Sequence, residues 1–290
     1  MAFRLGGLLF QFSSAGPSVV LRLPGIYSPF TANSFEPGPG ASYQILEPSS
    51  DMLLSPEPPG LLWQARNWRM GRTESGRIGI DLHDLRRDRW IPVANFEPDF
   101  SSGEIRPVGF RDEPAPYSLN YPYDQAVLLH RLLHFRAGVV HACGLSIEGR
   151  GLIFCGRSGA GKTTIARLWK AEGATLLNDD RVILRAAADG PRLESSPWHG
   201  EDPEVNNLSV PLRAIVHLNQ ASENRLSRLR GAGPLAALLA TSVAPFYSAP
   251  AMEMLLEPWS RMVEGVPSYR LDFTPDRRAV EVCRKELSLD

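Results

Sequence analysis

The sequence predicts an α/β fold, and three observations predict it. An apolar run at residues 151–155 feeds a glycine-rich stretch, an amphipathic helical pattern follows directly, and the next apolar run ends on paired carboxylates. Ahead of this segment the texture differs: residues 1–118 hold short apolar runs separated by Pro, Gly, Ser and Asp clusters. The expected organisation is a β-rich N-terminal domain over residues 1–118 and an α/β domain over residues 119–290.

Composition narrows the class further. The chain has 290 residues, 43% hydrophobic and 22% charged, a globular balance with ample material for a core. A formal net charge of −1 gives no global positive field, so neither nucleic acid nor an acidic membrane surface is expected as a partner. Cys143, Cys155 and Cys283 offer no disulfide framework and no paired metal-ligand spacing; they read as small core residues of a cytoplasmic protein. Near the start, Arg4 precedes only a few apolar residues before Gln11 and Ser13 interrupt them, which does not make a signal peptide. No run reaches the roughly 18 apolar residues that a membrane-spanning helix needs.

In chain order, residues 19–23, 77–82 and 90–93 read as strands, and 36–40 and 55–60 as turns. From Tyr121 the period changes. Asp124 is placed to cap a helix carrying Val127, Leu128, Leu132 and Phe135, with Gly138 to end it. Residues 139–147 and 151–155 read as a hairpin through Glu148-Gly149-Arg150. A helix over 163–172 puts Ile165, Leu168 and Trp169 on one face and stops at Gly173. Strands are expected at 174–177, 182–185, 212–218 and 269–273, and helices at 234–241, 251–264 and 276–287.

The chemistry lies in Gly156-Arg-Ser-Gly-Ala-Gly-Lys-Thr163, a full match to the G-x-x-x-x-G-K-[ST] P-loop, or Walker A, pattern. Gly156, Gly159 and Gly161 let the backbone fold tightly, so its amides point inward at phosphate oxygens; Arg157, Ser158 and Ala160 complete the loop and Thr164 follows it. Lys162 is placed to reach the β- and γ-phosphates and Thr163 to offer its hydroxyl to Mg²⁺. The strand before the loop and the helix after it are the context the motif requires.

Asp179 and Asp180 close the next strand, where a neighbouring strand of a P-loop fold opens onto the nucleotide. One can hold Mg²⁺ while the other takes the proton of an attacking hydroxyl, and spacing alone does not say which. A lone histidine in an apolar strand, such as His141, is ordinarily a core residue. The turn from Ser196 to Glu201 presents a Trp, a His and a Glu that look exposed and are candidates to line the site. Arg225, Arg228 and Arg230 read as a solvated face.

Three segments together, His141-Ala-Cys-Gly, Gly156-Arg-Ser-Gly-Ala-Gly-Lys-Thr-Thr and Leu176-Leu-Asn-Asp-Asp-Arg-Val, resemble the HPr kinase/phosphorylase family, itself related to ATP-dependent phosphoenolpyruvate carboxykinases. The likeness runs over residues 120–290 and is looser outside these segments. It implies a mixed sheet whose P-loop follows a hairpin, ATP and Mg²⁺ as nucleotide and metal, His141 beside the phosphates or metal, Asp179 as catalytic base, and Asp180 on metal or phosphate. HPr kinases usually carry Glu where this chain has Thr164, and no copy of their C-terminal signature is found, so the implied acceptor is a serine of a protein or peptide other than HPr. Relatives of this kind phosphorylate precursor peptides of lasso-type natural products. The resemblance leaves a homo-oligomer open. Two other readings stand beside the kinase: a nucleotide-binding regulator without turnover, and a kinase of small-molecule hydroxyls.

Overall fold

Gly6 and Gly7, at φ of 60° and 77°, fold the first strand, β1 (Ala2–Leu5), back onto β2 (Leu8–Ser14). Two successive positive φ values give the tight turn whose twist suits paired strands, and glycine adopts it without a Cβ clash. The structure is a computed structural model describing residues 1–17, 19–32, 39–47, 55–108 and 117–289. Most of the turn expected at 36–40 lies outside the described residues.

The hairpin opens an eight-stranded sheet with β3 (Gly40–Ile45), β4 (Gly60–Gln64), β5 (Trp68–Arg72), β6 (Ile78–Asp84), β7 (Arg89–Phe96) and β8 (Ser102–Ile105), ordered β1-β2-β3-β8-β7-β6-β5-β4. The β2–β3 and β3–β8 pairs are parallel and the others antiparallel. Along β3 burial alternates, with Ala41, Tyr43 and Ile45 inside, as a sheet with one covered face requires. Phe3 of β1 and Phe10 of β2, both buried, stack at 5.0 Å near one edge of the sheet. Residues 19–23 form no strand, contrary to the expectation. None of them is buried, so their alternation faces no core; instead Arg22 and Ser118 exchange two hydrogen bonds of 2.9 and 2.7 Å.

Two compact units make up the chain: Met1–His134 with Pro245–Ala249, and Phe135–Ala244 with Pro250–Asp290. The division falls after His134 rather than near residue 118, because helix α1 (Tyr123–Leu133) is bonded into the first unit. Tyr27 donates to the Asp124 carboxylate at 3.3 Å, and Arg131 donates to the Gly40 carbonyl at 2.8 Å. Asp124 is therefore a buried acceptor inside the first turn, not the cap, and the helix starts at Tyr123. Gly138 does not end it. A Cβ there would lie 2.5 Å from Leu255 and 2.8 Å from Trp259, so Gly138 serves close packing in the next strand.

The second unit begins with the hairpin β9 (Ala137–Ile147) and β10 (Arg150–Cys155), turned by Glu148 and Gly149 at φ of 51° and 77°. There follow α2 (Lys162–Ala171), β11 (Thr175–Asn178), β12 (Arg181–Ala187), β13 (Gly190–Ser195), β14 (Ser209–Gln220) and β15 (Arg225–Arg228). Then come α3 (Gly233–Leu239), β16 (Ser242–Val243), α4 (Ala249–Gly265), β17 (Ser268–Phe273) and α5 (Arg278–Leu287). The sheet is mixed, as expected: β10 is antiparallel to β9 and parallel to β14, which is parallel to β17. Pairings β9–β12, β12–β13, β13–β14, β14–β10 and β10–β9 close into a ring.

Ile165 and Trp169 of α2, fully buried, pack with Phe154, Val216 and Cys283 into one apolar cluster. Each such side chain contributes on the order of 1.5–3 kcal/mol by leaving water, an upper bound on its share of stability. This anchors α2 and fixes where the preceding loop points. All three cysteines are free and buried. Among the described residues no helix is long and apolar enough to cross a membrane.

Candidate functional site

Strand β10 ends at Cys155, in register with His217 of the parallel strand β14, so the glycine-rich loop leaves the carboxyl end of β10 beside β14, which runs on to Gln220. The carboxyl ends of strands are where open α/β sheets take ligands. The loop is tight because its glycines permit it. A Cβ on Gly156 would lie 2.6 Å from that of Ala160; Gly161 sits at φ 99° with Phe273 2.6 Å from its missing Cβ. Gln220 donates to the Gly159 carbonyl at 2.7 Å and steadies the turn. No side chain caps α2, so its first amides and the positive end of its dipole face the cavity beside the loop.

Lys162 opens α2 and is buried. Its ammonium donates to the carbonyls of Gly156 at 3.0 Å and Arg157 at 3.3 Å, and reaches His141 Nε2 at 2.9 Å. On its other side His141 Nδ1 lies 3.1 Å from Asp180 Oδ1. An ammonium only donates and a carboxylate only accepts, which assigns the tautomer: Nε2 bears the lone pair and Nδ1 the proton. A continuous hydrogen-bond chain thus joins loop lysine, imidazole and carboxylate. Burial lowers the Lys162 pKa, opposed by the nearby carboxylates, chiefly Asp180. The hydrogen bond from His141 leads the effects that lower the Asp180 pKa, with the charges of Arg181 and Lys162 adding to it.

The two aspartates are not equivalent. Asp179 is 3% exposed, and both its oxygens are occupied: Oδ1 accepts the Gly200 amide at 2.7 Å and Oδ2 that of Asp202 at 2.9 Å. This carboxylate holds the segment after β13 against the end of β11. A Cβ on Gly200 would meet Asp179 oxygens at 3.0 and 3.2 Å and the Asp180 Cβ at 3.1 Å, which is why glycine stands there. Lys170 on α2 clamps the same segment, bonding Asp202 at 2.9 Å and Glu204 at 2.7 Å. These bonds lower both carboxyl pKa values and raise that of Lys170.

The glycine-rich loop residues, His141, Asp179 and Asp180 each border one of two cavities that flank the loop, whereas Trp198 and His199 border neither. His141, Ser158, Gly159, Gly161, Lys162, Thr163, Thr164, Asp179 and Asp180 line the first, of about 380 Å³, together with Arg167 and Glu201. Gly156, Arg157 and Ala160 line the second, of about 480 Å³, along with Ser158 and Gly159. Lys170 and Gln220 carry no local sequence signal, since each acts through a partner distant in sequence, and His217 carries none because only strand pairing brings it beside the loop. Trp198 is 8% exposed under Arg181, against the expectation of an exposed ring, while Gly200 and Glu201 of the same turn do border the first cavity. Arg225, Arg228 and Arg230 line neither cavity.

No cluster of three or more His, Cys, Asp or Glu suited to a metal occurs among the described residues. Mg²⁺ does not need one, because it binds through one or two protein oxygens plus phosphates and water. Thr163 and Asp180, which both line the first cavity, offer a hydroxyl and a carboxylate, oxygen donors of that kind.

No family model matches the chain, and no curated protein matches it. Among solved structures, the HPr(Ser) kinase/phosphatase from Coxiella burnetii aligns at 13% identity with a TM-score of 0.32, over 51% of this chain and 95% of that one. This is a distant likeness, too loose to transfer the role of any residue.

Proposed function

We propose that the chain is an ATP- and Mg²⁺-dependent kinase that transfers the γ-phosphoryl group to a hydroxyl, a serine of a protein or peptide acceptor. One observation carries the reading: the ammonium of the glycine-loop lysine, the His141 imidazole and the Asp180 carboxylate form one hydrogen-bonded chain on the wall of one cavity.

In this reading the loop amides and the start of α2 grip the β- and γ-phosphates. Lys162 exchanges its bonds to His141 Nε2 and to the Gly156 and Arg157 carbonyls for phosphate oxygens, which frees Nε2. The acceptor oxygen bonds to the γ-phosphorus while the bond from that phosphorus to the bridging oxygen breaks, releasing ADP. The hydroxyl proton passes to His141 Nε2, and Asp180 Oδ1 stabilises the resulting imidazolium through Nδ1–H. Thr163 and Asp180 would hold Mg²⁺, which would supply neutralisation of the phosphate charge. We assign Asp179 a holding role rather than the base role that the family resemblance implies, because both its oxygens already accept amide hydrogen bonds.

Phosphotransfer from γ-labelled ATP with Mg²⁺ to a serine-containing peptide library is the test. Label is expected on serine, and its loss is expected in Lys162→Ala. A protein that binds Mg-ATP yet labels no acceptor across proteins, peptides and hydroxy-metabolites defeats the proposal.

A further inference from the structure

We propose that the second cavity, on the β14–α3 side of the glycine-rich loop, holds the heterocyclic base of the nucleotide, with His217 recognising it. This rests on the nucleotide reading above and deepens it.

The two cavities share the loop but differ in charge. Lys162, Asp179 and Asp180 face the first, whereas among the described residues lining the second Arg157 carries the one permanent charge. Ser158, Gly159 and Gln220 border both, so one elongated ligand lying over the loop reaches each. A nucleoside triphosphate has this division: a polyanion at one end, an uncharged ring at the other. The second cavity, of about 480 Å³, falls in the range of about 300–1,000 Å³ typical of small-molecule sites. Ala237 and Ala240 give its α3 wall short side chains, which leave room for a planar ring.

His217 supplies recognition. It lies opposite Cys155, at the point where β10 gives way to the loop, and it lines this cavity. Its Nε2 is buried with no hydrogen-bond partner among the described residues. Buried polar atoms are rarely left unpaired, and one carried by a side chain that lines a cavity points to a ligand as its partner. Burial lowers the His217 pKa to about 4, so at neutral pH the ring carries no charge. A neutral imidazole pairs with a donor or acceptor on a base edge and gives phosphate no attraction.

Binding of Mg-ATP and of Mg-tripolyphosphate, measured by titration calorimetry, separates the two cavities. Wild-type protein is expected to bind ATP at least about tenfold more tightly than tripolyphosphate. His217→Leu is expected to lose roughly tenfold in ATP affinity while tripolyphosphate stays within about twofold. Ala237→Leu, which crowds the cavity and leaves His217 intact, should show the same pattern. Equal losses for both ligands, or wild-type ATP affinity no better than that for tripolyphosphate, overturns the base site and leaves the phosphate reading standing. If neither ligand binds the folded wild-type protein, the nucleotide reading falls and the base site with it.

Discussion

The ammonium of Lys162 lies 2.9 Å from Nε2 of His141, so the glycine-rich loop and strand β9 meet through one hydrogen bond inside the candidate site. Because Nδ1 of the same ring contacts Asp180, the imidazole is held at both ends. Replacing His141 with Ala should cut phosphotransfer turnover by about 10²–10⁴-fold, the usual worth of a positioned acid–base group. Nucleotide affinity, measured separately by calorimetry, should change by less than about threefold. A comparable drop in both would make His141 a binding residue instead.

Substituting the two aspartates should give opposite phenotypes. Asp179→Asn removes one of the acceptors serving the Gly200 and Asp202 amides, and should cost about 1–3 kcal/mol in urea unfolding. It should also speed proteolysis within residues 199–204. Asp180→Asn should leave unfolding nearly unchanged and lower turnover instead. Equal loss of stability in both variants would remove the distinction drawn between them.

Gly138→Ala tests the packing of α4 on β9. The added methyl meets Leu255 at 2.5 Å and Trp259 at 2.8 Å, both within the second unit, so neither neighbour yields easily. A loss of about 1–3 kcal/mol is expected from overpacking. A variant as stable as wild type would show that the helix shifts freely.

His130 gives the first unit a defined acid response. Its Nδ1 lies 2.7 Å from the Ala126 carbonyl, its Nε2 is 2.7 Å from the Tyr247 hydroxyl, and burial lowers its pKa from 6.5 to about 4. Between those values the unfolded chain binds a proton that the native ring refuses. Stability from this group is therefore complete above pH 6.5 and declines as pH falls toward 4, at about 1.4 kcal/mol per pH unit. Urea unfolding followed by tryptophan fluorescence should show this slope in wild type and a flatter one in His130→Gln. Parallel curves would mean that the histidine titrates normally.

What the sequence made readable was local. The run from β9 to β11 follows from signals within a few residues of each other: a positive-φ turn at Gly149, glycines before Lys162, and Gly173 after α2. Gly6-Gly7 is an equally local signal, two turn residues between apolar runs, and the first hairpin forms there, whereas the alternation at 19–23 forms no strand. That alternation misled because period two marks a strand only where one face has something to cover. The separate fates of Asp179 and Asp180 could not be read from neighbouring identical side chains. They depend on amides 21 and 23 residues further along the chain. His217 was likewise invisible, since its place beside the loop depends on the parallel register of β10 with β14.

Strand β9 is paired on both edges, with β12 and β11 along one and β16 and β10 along the other. Its amides should be among the slowest in the unit to exchange with deuterium, because releasing them requires several neighbours to part at once. His141 therefore rides on a stiff beam, while Lys162 reaches it from the first turn of α2, just after the glycines. In the proposed reaction the lysine is therefore the partner of that contact that must move to meet phosphate, and the imidazole is the fixed post it leaves.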